Sequence, residues 1–172
     1  CLQCDILGGC AREVGRFLGS LRSLHSLSVY RFDPAFFNGM AEAGSRLTSL
    51  DVYKEILSSS ATQAIASLGA LRCLNIRAAS CDVAPLSSLR QLTSLVIFPD
   101  LFAGNNVNVI GIPEAVAGMQ VLQHLQLPCV PTDDVLAALP PTLEKVQFRY
   151  ASILDVIRLA DCTGLPALRS IR

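Results

Sequence analysis

An aliphatic residue recurs along this chain at three-residue steps that end in an alternating pair, Φ-x-x-Φ-x-x-Φ-x-Φ, and this recurrence constrains the fold more than any other feature. Leu21, Leu24, Leu27 and Val29 fit it. So do Leu68, Leu71, Leu74 and Ile76, then Leu89, Leu92, Leu95 and Ile97, then Met119, Leu122, Leu125 and Leu127. Two copies are degraded: Gly44 with Leu47, Leu50 and Val52, and Pro140 with Leu143, Val146 and Phe148. A seventh runs Leu165, Leu168, Ile171. The third slot falls at 27, 50, 74, 95, 125, 146 and 171, so the steps are 23, 24, 21, 30, 21 and 25 residues. Unrelated amphipathic segments do not keep such time.

The terminal Φ-x-Φ has period two, which predicts a short strand with one buried face. No single unit can bury its apolar side alone. Stacking on the next unit buries it, so the core runs continuously along the array. The predicted result is an α/β fold in which stacked strands form one parallel sheet on the inner side. Return segments on the outer side are read as helical or turn-like. Ile56-Leu57 through Ala61–Ala66 has helical spacing. Pro131 and Thr132 open a helix at Asp133-Asp134-Val135-Leu136, and 152–159 is similar. A helix is wider than a strand, so such returns curve the stack.

The segment from Ile112-Pro113-Glu114 through Met119, Leu122, Leu125 and Leu127 carries the sharpest copy. It resembles the I-P-x-x-Φ-x-x-L-x-x-L-x-x-L-x-L form of plant-type and intracellular leucine-rich repeats, and the resemblance extends over essentially the whole chain. It implies a leucine-rich repeat solenoid, a horseshoe with a concave parallel sheet, short helices or turns on the convex side and about seven repeats. One departure stands out. The family commonly carries Asn just beyond the last strand aliphatic, where this chain has Phe32, Glu55, Ala79, Asp100, Val130 and Ala151. With no asparagine ladder, the subfamily stays unassigned. Leu2-x-Cys4 reads as the tail of a preceding unit, and the sequence stops within a strand. We therefore expect one domain over 1–172 with uncapped ends, a piece of a longer array.

Residues between the buried aliphatics face the concave side. The slot inside each pair holds Ser28, Asp51, Asn75, Val96, Gln126 and Gln147. The slot after it holds Tyr30, Tyr53, Arg77, Phe98, Pro128 and Arg149, and the slot before it Ser26, Ser49, Cys73, Ser94, His124, Lys145 and Ser170. Tyr30, Tyr53, Arg77 and Phe98 predict a diagonal stripe of the residue types that dominate interaction hot spots. Rings that merely cover the core edge, with a solvated Arg77, are the alternative. The expected partner-binding set is Tyr30, Asp51, Tyr53, Arg77, Phe98, His124, Gln126, Lys145 and Arg149. The long step adds 99–111, where Gly104 and Asn105-Asn106 suggest a turn in a loop bulging from the coil.

Composition narrows the function. Lys plus Arg equal Asp plus Glu at 14 each, so no net charge draws the chain to nucleic acid. No apolar run reaches the ~18–20 residues of a membrane span. Seven cysteines, at 1, 4, 10, 73, 81, 129 and 162, form no paired framework. They read as small buried hydrophobes in a reducing, cytoplasmic compartment. Cys1-x-x-Cys4 with Cys10 and His25 lacks the second close pair of a zinc site. Cys73 and His124 lie two units apart, too far for a nucleophile and its base. Asp51 and Asp133-Asp134 read as a surface charge and a helix start. We expect no enzyme and no cofactor, but a module that binds a protein or peptide. The resemblance also admits the recognition arm of a larger protein, such as a ubiquitin-ligase substrate receptor or an immune-type receptor. A cysteine- or zinc-dependent enzyme is the remote alternative.

Overall fold

The first three-residue step of the pattern is a turn in six of the seven copies. In the computed structural model, which describes residues 2–6, 9–54, 56–98, 108–128, 131–148 and 165–171, the second-slot amide donates to the first-slot carbonyl three residues back. Leu24 donates to Leu21, Leu71 to Leu68, Leu92 to Leu89, Leu122 to Met119, Leu143 to Pro140 and Leu168 to Leu165, all at 3.1–3.2 Å. The spacing is thus the signature of a hydrogen-bonded turn that delivers the chain into its strand.

In chain order the elements are β1 (Leu2–Ile6), α1 (Ala11–Ser20), β2 (Ser26–Phe32), α2 (Pro34–Glu42), β3 (Ser49–Tyr53), β4 (Ile56–Leu57), α3 (Ser59–Ala66), β5 (Cys73–Arg77) and β6 (Ser80–Asp82). A 3-10 turn at Ala84–Ser88 follows, then β7 (Ser94–Phe98), β8 (Asn108–Ile110), α4 (Ile112–Gly118), β9 (His124–Leu127), α5 (Asp133–Ala138), β10 (Lys145–Phe148) and β11 (Ser170–Ile171). Eight strands form one parallel sheet in the order β1-β2-β3-β5-β7-β9-β10-β11. Its register is the sequence register: Leu27, Leu50, Leu74, Leu95, Leu125, Val146 and Ile171 stand opposite one another in file. Leu2 pairs with Leu27 and Cys4 with Val29, as the tail motif predicts.

The backbone ties each strand start to the previous one. The carbonyls of His25, Thr48, Arg72, Thr93, Gln123 and Glu144 each accept two consecutive amides from the following strand, at 2.8–3.2 Å. Thr48 and Thr93 add side-chain hydroxyl donors to the same His25 and Arg72 carbonyls. A regular main-chain ladder therefore meets the obligatory pairing of buried peptide groups at this end of the strands.

One face of the sheet is dry. Leu27, Leu50, Leu74 and Ile76 are fully buried, in one cluster with Phe36, Phe37, Ile65, Leu86 and Val116 from the return segments. Burying a leucine side chain stabilises by about 2 kcal/mol relative to leaving it in water. The return segments pack neighbour on neighbour, α1 on α2, α2 on α3, α3 on the 3-10 turn, that turn on α4, and α4 on α5. Two of the helix starts carry hydroxyl caps: Ser58 accepts from the Ala61 amide and Thr132 from the Val135 amide, as expected for Thr132.

Several expectations are corrected. Ile56-Leu57 is not helical: it is β4, the first member of a second parallel sheet, β4-β6-β8. Part of the long step belongs to that sheet as well, because Asn108–Ile110 forms β8 rather than a loop, while 99–107 lies outside the described residues. So does the helix expected at 152–159. Gly44 is not a weakened aliphatic slot. It sits at φ +69 just past α2, where the Gly44 amide donates to Ala41 and the Ser45 amide to Met40. This pair of bonds is a Schellman terminus, which needs a left-handed residue and therefore favours glycine. Leu21, in a full copy of the motif, is exposed. Its neighbouring slot in the row is Gly44, which offers no side chain to pack on.

Helices α1 and α2 lie outside the aliphatic period in the sequence. They cross so closely that a Cβ built on Gly15 would sit 2.0 Å from the Phe36 carbonyl oxygen, and one on Gly39 2.1 Å from that of Arg12. Small residues set this contact, and small residues leave no apolar period to read. Cysteine usage also departs from expectation. Cys81 is buried, but Cys10 is exposed at the start of α1 and Cys73 is half-buried on the open face of the sheet.

Candidate binding face

The other face of the sheet is open, and strand alternation decides what it shows. Ser28, Asp51, Asn75, Val96, Gln126 and Gln147 lie between buried neighbours and point away from the core, and all but Ser28 are partly exposed. Two constructions occupy this face.

The first is a stack across four adjacent strands, β2, β3, β5 and β7. The Tyr30 and Tyr53 rings lie 4.4 Å apart, centroid to centroid, and within 7° of parallel. The Arg77 guanidinium sits over the Tyr53 ring at 4.8 Å and over the Phe98 ring at 5.4 Å. Register explains the alignment, since Tyr53, Arg77 and Phe98 are direct cross-strand partners. A planar cation between two π faces is held electrostatically by both ring quadrupoles, each contact contributing roughly 0.5–1 kcal/mol at an exposed site. Tyr30 and Arg77 remain exposed, and Tyr53 and Phe98 half-buried. The four residues predicted as a stripe thus form one continuous ladder.

The second construction runs alongside. Asp51 accepts from the Ser28 hydroxyl at 3.1 Å and from the Asn75 side-chain amide. Asp51, read as a surface charge, is half-exposed, and its carboxylate joins three neighbouring strands. Its partners Ser28 and Asn75 occupy the same middle row. The signal was present, because all three share the middle slot of consecutive copies, so their side chains meet across the register.

Beyond Phe98 the character changes. Pro128, which occupies the next place in the stripe, is buried. Strand β9 ends at Leu127, and a proline has no N–H to extend the ladder. Arg149 lies outside the described residues. His124, Gln126 and Lys145, all predicted, instead line a shallow depression of about 240 Å³ with Ser94, Val96 and Gln147. His124 is exposed, the other two half-buried.

Cys73, Ser94 and His124 are successive members of one cross-strand row, so a whole strand separates the thiol from the imidazole. Two strand spacings are about 9.6 Å, beyond direct proton transfer. Among the described residues no three His, Cys, Asp or Glu side chains converge as a metal-binding group. No helix among them is long and apolar enough to cross a membrane. Compared with models of protein families and with curated proteins, the chain finds no match.

Proposed function

We propose that this chain is a leucine-rich repeat solenoid of about seven units that binds a protein or peptide partner along the concave face of its parallel sheet. The observation that carries the reading is the Tyr30–Tyr53–Arg77–Phe98 ladder. Aromatic and arginine side chains dominate binding energy where they present large, rigid area at low entropic cost. Here they stand side by side on the open face, already ordered by stacking. The solenoid part is supported by strands that follow chain order across the sheet and by return segments that pack on their sequence neighbours. The role is recognition rather than chemistry of its own.

The test is a parallel capture experiment. Wild-type chain and a Tyr53→Ala, Arg77→Ala, Phe98→Ala variant are immobilised, and proteins retained from a lysate of the native source are quantified. All three side chains are at least partly exposed, so the variant is expected to keep its circular dichroism spectrum. Specific partners should drop at least tenfold. Unchanged recovery with the variant removes this face from consideration.

A further inference from the structure

We propose that Arg77 is a carboxylate-reading position, and that the partner is an extended peptide segment that lays an Asp or Glu side chain on its guanidinium with an apolar neighbour against Tyr30 and Tyr53. This deepens the reading of the open face given above and rests on it. The Arg77 guanidinium is held by its faces alone. Among the described residues its guanidinium makes no hydrogen bond and no ion pair; its contacts are the Tyr53 and Phe98 rings. By contrast, Arg12 and Arg16 are both taken by Glu42, and Arg72 reaches the Gln91 side-chain oxygen. Asp51, the acid in the adjacent row, is already engaged by Ser28 and Asn75.

An arginine presents five N–H donors in a planar fork. Stacking uses the faces of that plane and leaves the donors at its edge. Two flanking rings hold the plane in place, so a bidentate acceptor meets a preordered fork and loses less side-chain entropy on binding. Carboxylate suits this site better than phosphate. A phosphate group carries nearly two negative charges at neutral pH, whereas the ladder supplies one cation and has the Asp51 charge beside it. A single carboxylate matches the single guanidinium. The exposed Tyr30 ring, 4.4 Å from Tyr53, offers the adjoining apolar shelf.

The experiment selects binders from a random phage-displayed dodecapeptide library on the wild-type chain, then measures synthetic versions of the selected peptides. Selected sequences should be enriched in Asp and Glu beside an aromatic or aliphatic residue. Replacing the peptide's Glu by Gln, or Arg77→Gln in the protein, should each weaken binding about tenfold or more, and the two losses should not add. Selection on Arg77→Glu should turn the enrichment towards Lys and Arg. Peptides that are weakened by Tyr53→Ala but indifferent to Arg77→Gln would overturn the carboxylate inference while leaving the binding face standing. Peptides indifferent to both variants would overturn both. Failure to select any peptide, absence of acidic enrichment, or tighter binding of a phosphoserine version than of the Glu version would each count against the proposal.

Discussion

The two halves of the sheet share one backbone and differ in surface. From β2 to β7 the buried file Leu27, Leu50, Leu74, Leu95 lies beneath a stacked ladder and a carboxylate shared by three strands. From β9 to β10 the file continues through Leu125 and Val146, but above it lie His124, Gln126, Lys145 and Gln147 around a shallow depression. Inward positions must fill a dry, close-packed interior, so one side-chain type serves throughout. Outward positions carry no such demand. A parallel sheet with fixed register can therefore confine a stacked aromatic–arginine surface to a few strands without altering its architecture.

Core substitutions under the two surfaces should have the greatest cost. Leu74→Ala and Leu125→Ala each remove a buried leucine, 0% and 2% exposed, one under each surface. Both should cost about 2–5 kcal/mol in urea unfolding, the range for cavities of this kind. A Leu125→Ala cost below half that of Leu74→Ala would show that the halves are not equally packed. The next effect is smaller and belongs to one half only. Asp51→Ala removes the acceptor of the Asn75 amide, and half-burial lets water replace part of it. The expected cost is about 1 kcal/mol, against less than about 0.5 kcal/mol for Gln147→Ala beside the depression. Equal costs would mean that the side-chain network over β2, β3 and β5 adds nothing to the sheet.

Which features were legible follows from whether their cause is local. Turn, strand and register all arise within the nine-residue motif, so the file from Leu27 to Ile171 could be read directly. The stack could be read too, because Tyr30, Tyr53, Arg77 and Phe98 hold equivalent slots. Pro128 closes that row for a reason also written in the chain, its missing N–H. Other features depend on partners far away in sequence. Ile56-Leu57 is a strand because Ser80-Cys81 lies beside it, which no local spacing announces. The α1–α2 crossing is made by Gly15 and Gly39, whose contribution is the absence of a side chain. Asp33 before Pro34 was a readable helix start, with the Asp33 side chain accepting from the Ala35 amide. The aliphatic period simply outweighed it.

On the return side, one surface ion-pair cluster should contribute least. Glu42, on α2, pairs with Arg12 and Arg16 on α1, with the Arg16 Nε to Glu42 Oε2 distance 2.8 Å. The hydrogen bond from Arg12, then that from Arg16, holds the Glu42 carboxyl below its ordinary value, and the same bond raises Arg12. A carboxylate whose pKa is lower folded than unfolded contributes stability above the unfolded value, and loses it as pH falls through the folded one. Thermal unfolding of wild type should therefore lose slightly more stability between pH 7 and the acid side of the carboxylate range than Glu42→Gln does, and raised salt should shrink that gap because the groups face solvent. The order of the curves is the check: a steeper acid loss in Glu42→Gln would reverse the sign and sink the ion-pair account. Peptide binding on the open face should be unchanged by this substitution, because the core separates α2 from the ladder. A parallel loss of binding would mean that the ladder's order depends on the α1–α2 crossing and not on its own stacking.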